Sequence, residues 1–268
     1  MKITVNPTPT TDALQHSKGN QAFLIAFLSV FIAVCLLFGF IGQRLASKKI
    51  LASMQNNTSQ SPPISATVII DAGHGGEDAG TVSANGTLEK DLNLLVAQSL
   101  EKMLTVSGVN VIMTRNEDIL LYDKNSDYLG HKKQQDLTTR LKIAQAYPDA
   151  CFVSIHMNSF SVSKYNGLQV YYSPNNEASY KLANTVQSHV RENLQPYNTR
   201  KIKQGDKNIY LLDRITSPAV LVECGFLSNE AECARLCDEE YRKKLCFLLC
   251  ASIMEFISQN TPESLNYY

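Results

Sequence analysis

The sequence predicts an α/β domain, a largely parallel sheet flanked by helices on both faces, preceded by one N-terminal transmembrane helix. Three observations carry this. From residue 67 onward, short β-branched runs alternate with longer segments of helical apolar spacing. Residues 22–41 form an uncharged run of twenty. A polar stretch containing Pro62-Pro63 separates the two. The composition sets outer limits. With 44% hydrophobic residues the chain is neither disordered nor collagen-like. Its zero formal charge argues against a non-specific nucleic-acid binder. Seven cysteines are too few for a disulfide scaffold.

In chain order, residues 1–21 read as a short cytoplasmic tail. Residues 22–41, AFLIAFLSVFIAVCLLFGFI, hold Ser29 as their only polar side chain. As a helix they span roughly 30 Å, the thickness of a bilayer core. A secretory signal core is shorter, about 7–15 residues, and ends at a small-residue cleavage site. Here only Ala46-Ser47, after Arg44, offers such a site. An uncleaved anchor is the expectation and a cleaved signal the alternative. Lys2 and Lys18 precede the run, and Arg44, Lys48 and Lys49 follow it, so flanking charge votes weakly for a cytoplasmic C-terminal side. Residues 42–65 form a polar linker, and the domain occupies 66–268.

Within the domain, 67–71 (TVIID) is a buried strand stopped by Gly73 and Gly75-Gly76. Residues 92–104 have helical spacing and end near Gly108. Next come a strand at 109–113, a helix at 137–147 stopped by Pro148, and strands at 151–155 and 168–172. A helix at 178–194, a strand at 219–222 and helices at 230–236 and 239–257 complete the order. In open sheets of this kind ligands sit outside the carboxyl ends of the strands. Three strands are followed by Asp71-Ala-Gly-His74, Ile155-His156-Met157-Asn158 and Val222-Glu223-Cys224-Gly225. They therefore deliver His, His and Glu to one edge. One His after a strand is usually a hydrogen-bonded loop residue; three such groups together are hard to reconcile with coincidence. His131 and His189 have no such placement.

VIIDAGHGGEDAG (68–80), Glu89 at the next helix start, SIHMNS (154–159) and PAVLVECGFLSN (218–229) resemble the zinc-dependent N-acetylmuramoyl-L-alanine amidases. Thr114-Arg115, Arg140, GLQVYY (167–172) and NIYLL (208–212) extend the resemblance. It implies a mixed six-stranded sheet. It also implies zinc held by His74, Glu89 and His156, with Glu223 as the catalytic acid/base. The chemistry agrees, because two His and one carboxylate leave zinc an open fourth position. A nearby carboxylate can move the proton that amide hydrolysis requires. The implied substrate is peptidoglycan, cut between the lactyl group of N-acetylmuramic acid and L-alanine. That places the domain outside the cell membrane, against the weak charge vote.

Among the neighbouring acids, Glu77 and Asp78 read as loop carboxylates. Asp71 either orients a ligand imidazole or caps a turn, and Asn158 either bonds substrate or orders its loop. Cys233/Cys237 and Cys246/Cys250 fall on helix faces and read as small core residues rather than a metal or disulfide set. Cys224 reads as a buried strand end. Two other functions compete: a zinc carboxypeptidase-like peptidase, and an inactive membrane-tethered wall-binding protein. Resemblance to small amidases of spore cortex maturation sets a cortex role against vegetative cell separation. A protein activator stays open.

Overall fold

A computed structural model describes residues 66–125 and 130–260. The expected anchor at 22–41 and the linker lie outside the described residues. The β-branched run TVIIDA forms β1, Thr67–Ala72. It is followed by α1 (Glu89–Val106), β2 (Asn110–Met113), α2 (Lys132–Gln145) and β3 (Cys151–Asn158). Then come β4 (Gln169–Tyr172), α3 (Glu177–Asn193), β5 (Lys203–Gln204), β6 (Ala219–Phe226), α4 (Glu230–Cys237) and α5 (Glu239–Asn260). The strands form one six-stranded sheet in the order β2-β1-β3-β6-β4-β5. All neighbours pair in parallel except β4 and β6, which are antiparallel. The mixed, largely parallel sheet expected from the sequence is therefore present.

Side-chain alternation gives the sheet two different faces. Val68, Ile70, Val153, Ile155, Val220 and Val222 join the main apolar core with residues of α1, α3, α4 and α5. Ile69, Phe152 and Ala219 point the other way, against Leu141 and Ala144 of α2 and the turns at 207–215. Helices thus cover both faces, unevenly. Asn176 caps α3 by accepting from the Ala178 N–H, and Asn229 caps α4 by accepting from the Glu232 N–H.

Several expected boundaries move. The β3 and β6 ladders run on to Asn158 and Phe226, so His156 and Glu223 sit on strands rather than in the loops after them. The α2 helix starts at Lys132, one polar turn before the predicted residue 137. The two-residue strand β5 had no counterpart in the sequence reading. Register slips between His156↔Glu223 and Asn158↔Phe226, which puts one extra β6 residue beside the site. Such bulges re-aim side chains next to functional positions.

Candidate active site

The carboxyl ends of β1, β3 and β6 are adjacent in the sheet, and they bring the expected residues together. His156 pairs with Glu223 across β3 and β6, and Gln169 of β4 pairs with Glu223 from the other side. His74 lies just beyond β1 with φ 62°, the one described non-glycine residue at positive φ. Strain of this kind persists where the surroundings over-determine it. Glu89 opens α1 and is 3% exposed. Its Oε1 lies 3.0 Å from His156 Nδ1 and 3.2 Å from His74 Nε2. These three residues can hold a metal ion together. In a tetrahedron with zinc–donor distances of about 2.0–2.1 Å, donor atoms lie roughly 3.3 Å apart. Both distances from Glu89 match that spacing, and the donor chemistry fits zinc.

The surrounding chain fixes each donor. Oε1 of Glu89 also accepts from the Met157 N–H at 3.1 Å, and Oε2 accepts from the Thr81 N–H at 2.8 Å. A Cβ at Gly73 would collide with the His156 imidazole, and a Cβ at Gly80 would lie 2.6 Å from Glu89 Oε2. Glycine is needed at both positions for the His156 ring and the Glu89 carboxylate to fit. Burial pushes the Glu89 carboxyl up, but His156 and His74 pull it well below the usual carboxylate range. Burial lowers the His74 imidazole, while Glu89 and Asp78 raise it to a net upward shift.

Asp78 corrects the sequence reading. It is no plain loop carboxylate: its Oδ2 lies 2.8 Å from His74 Nδ1, turning Nε2 toward Glu89. Such partners orient metal-binding imidazoles. Asp71 neither orients an imidazole nor caps a turn. It accepts from Arg140 Nη1 at 2.5 Å, Ser154 Oγ at 2.6 Å and Thr114 Oγ1 at 2.8 Å. Arg140 also donates to Asp136 at 2.8 Å, and to the carbonyls of Ala72 at 2.8 Å and His74 at 2.7 Å. Arg115 donates to the carbonyls of Ala72 at 2.8 Å and Gly73 at 3.0 Å. Two buried arginines thus clamp the loop that carries His74. Asn158 orders its loop by accepting from the Ser159 N–H at 2.8 Å. Glu77 is exposed and pairs with Lys132, as a loop carboxylate does.

Glu223 faces a cleft of about 290 Å³ that His74, His156, Asp78, Leu221 and Tyr210 also line. Its Oε2 is buried and has no hydrogen-bond partner. Burial and the nearby Glu89 push its carboxyl up to about 7. A group poised near neutrality can take and return a proton. A larger cleft of about 920 Å³, beside the start of α4, is lined by none of His74, Glu89, His156 and Glu223.

The sequence reading also missed Asp136 and Glu232. Asp136 holds Arg140 and accepts from the Leu121 N–H at 2.9 Å. Glu232 is fully buried and accepts from the N–H groups of Gly167 and Phe226 at 2.8 Å, beside the β6 bulge. Asp136 and Arg140 stand four apart on one helix, a local signal, whereas Glu232 reaches Gly167 across 65 residues. Cys224, Cys233, Cys246 and Cys250 are core residues as expected, whereas Cys237 is exposed.

The profile of the N-acetylmuramoyl-L-alanine amidase family (Amidase_3) matches residues 68–255. The chain belongs to this family. Its relatives include the germination-specific N-acetylmuramoyl-L-alanine amidase of Bacillus subtilis, 32% identical over 88% of this chain and 94% of that protein. Among solved structures, the CwlD amidase from Clostridioides difficile in complex with the GerS lipoprotein is similar. It is 37% identical with a TM-score of 0.68, over 73% of this chain and 100% of that one. The catalytic domain of CwlV, an amidase from Bacillus (Paenibacillus) polymyxa var. colistinus, is 32% identical with a TM-score of 0.60, covering 72% of this chain and 98% of that one. An N-acetylmuramoyl-L-alanine amidase acts on peptidoglycan, and the cleft described above is this enzyme's candidate active site.

Proposed function

We propose that the domain is a zinc enzyme that cuts the amide between the lactyl carboxyl of N-acetylmuramic acid and the L-alanine nitrogen, in the spore cortex. One observation carries the chemistry: His74, Glu89 and His156 converge within 4.8 Å, beside the unpartnered carboxylate of Glu223. His74 Nε2, Glu89 Oε1 and His156 Nδ1 would hold the zinc. A zinc ion in such a site supplies Lewis acidity, which polarises a carbonyl and makes water acidic enough to react near neutrality.

The protein's own groups do the rest. Glu223 takes a proton from the attacking water as its oxygen adds to the lactyl carbonyl carbon. It returns that proton to the alanine nitrogen as the C–N bond breaks. Asp78 keeps the His74 ring oriented, and Arg140 holds the backbone beneath it. The products are a free muramic acid carboxyl group and a peptide with a free L-alanine amine.

We place the domain on the outer side of the membrane, tethered by residues 22–41, with residues 1–21 in the cytoplasm. The uncharged run of twenty supports an anchor, and a wall substrate supports the orientation. The germination-specific relative supports the cortex as the site of action. The complex of the clostridial relative with the GerS lipoprotein supports a protein partner for this chain. The test is product analysis. Purified zinc-loaded protein should release new N-terminal L-alanine amines from cortex peptidoglycan. New amines within the peptide, with the muramoyl link intact, would overturn the reading in favour of a peptidase.

A further inference from the structure

Arg200 stands beside Glu223 with most of its hydrogen-bonding capacity unspent. It lies between α3 and β5, and its Nη2 donates to Gln169 Oε1 at 2.9 Å. Gln169 is the β4 residue paired with Glu223, on the side away from His156. It is locked in turn by donating to the Lys201 carbonyl at 2.8 Å. The Arg200 guanidinium packs 4.6 Å from the centre of the Phe226 ring and 6.0 Å from that of Tyr165. Aromatic faces on this scale hold a guanidinium and strip water from it.

A guanidinium has five N–H donors and no acceptor. Nε of Arg200 is buried without a partner, and Arg200 makes no ion pair among the described residues. The contrast with Arg140 is direct. There Nε, Nη1 and Nη2 all donate, to two carboxylates and two carbonyls among others. A half-buried guanidinium held by Gln169 and Phe226, with donors the protein leaves unused, can take a planar anion, and a carboxylate matches its fork. Lys201 and Lys203, both exposed, continue the positive charge along the chain.

The reaction decides which part of the substrate reaches Arg200. Glu223 hands its proton to the alanine nitrogen, so the departing peptide starts next to Glu223, whose β4 neighbour is Gln169. On the amidase reading above, on which this step rests, we propose that Arg200 is a specificity-determining residue. It binds a free carboxylate on the peptide half of the substrate, next to L-alanine. An acidic residue joined through its side chain at that place would present its α-carboxyl either free or as a carboxamide. Arg200 selects the free acid.

The experiment compares two muramoyl dipeptides that differ only in carboxylate or carboxamide at that position, with the full-length zinc-loaded protein. A charge-assisted contact of this kind corresponds to roughly a 10- to 100-fold preference in kcat/KM for the free acid. Arg200→Met keeps the alkyl stem against Phe226 and should reduce that preference to within about threefold, mostly through KM on the free acid. Arg200→Lys, which keeps the charge but not the fork, should fall between. Calorimetric binding of the two product dipeptides should show the same order without turnover. Equal handling of both substrates by the wild-type protein would overturn the proposal, as would an equal loss on both in Arg200→Met. If the wild-type protein cleaves neither substrate yet binds the free-acid dipeptide selectively through Arg200, the amidase reading falls and the carboxylate site stands.

Discussion

The two faces of the sheet are made from alternate residues of the same strands, yet they carry different burdens. On β3, Val153, Ile155 and Met157 enter a closed apolar core, while Ser154 and His156 face the cleft. The first face holds chemically interchangeable groups whose value is packing. The second holds groups placed against local preference: a left-handed histidine and a carboxylate lacking a partner. Between them the Asp71–Arg140 network ties the site to the sheet. Substitutions on one face should therefore cost stability, on the other activity, and at the seam both.

The largest effect belongs to the ligand set. His74→Ala or His156→Ala should abolish zinc retention and reduce hydrolysis to background, measured by metal analysis and amine release. Chelation should do the same to the unaltered protein. Full activity in either variant breaks the comparison at its active face.

At the seam, Arg140→Met leaves Asp71 and Asp136 buried and uncompensated. Breaking a buried pair in this way costs about 3–5 kcal/mol. Urea denaturation should show that loss, with weakened zinc affinity because the His74 carbonyl loses its donor. On the apolar face, Leu100→Ala removes a fully buried side chain of α1. The expected cost is about 2–5 kcal/mol of stability, with kcat/KM on folded protein unchanged. A large kinetic effect there would show that the two faces are not separable.

The smallest effect is acid sensitivity. Burial pushes the Asp71 carboxyl up, but Arg140, Ser154, His156 and Thr114 outweigh it and hold the carboxyl below its ordinary value. The stability this adds is fully present above the unfolded value of about 3.9 and is lost as pH falls through the lower folded value. The denaturation midpoint of Asp71→Asn should therefore lose less than the wild type when pH drops below about 4.

The comparison also explains what the sequence made legible. β-branched runs mark β1, β3 and β6, with a glycine at the end of β1 and of β6, and these strands are neighbours, so His74, His156 and Glu223 were readable as one edge. Strand ends were not, because backbone pairing continues under polar side chains at Asn158 and beyond Glu223. The exposed β5 has only two residues and no apolar alternation to betray it. Asp78 carried a weak signal: it stands four residues after His74, with glycines at 75, 76 and 80 that let the chain fold back. Asp136 offered less, since its role depends on Arg140 reaching a strand 69 residues away.

The central claim is that metal holding and proton transfer belong to different residues of one cleft. Glu223→Gln tests it most directly, because the substitution preserves shape and removes only the basic carboxylate. Zinc content should stay near one per chain, as in the wild type. The hydrolysis rate should fall by roughly two to four orders of magnitude, the usual worth of general acid–base catalysis. Loss of zinc from this variant would make Glu223 a ligand, and retention of both zinc and near-normal turnover would move the proton-transfer role to another acid.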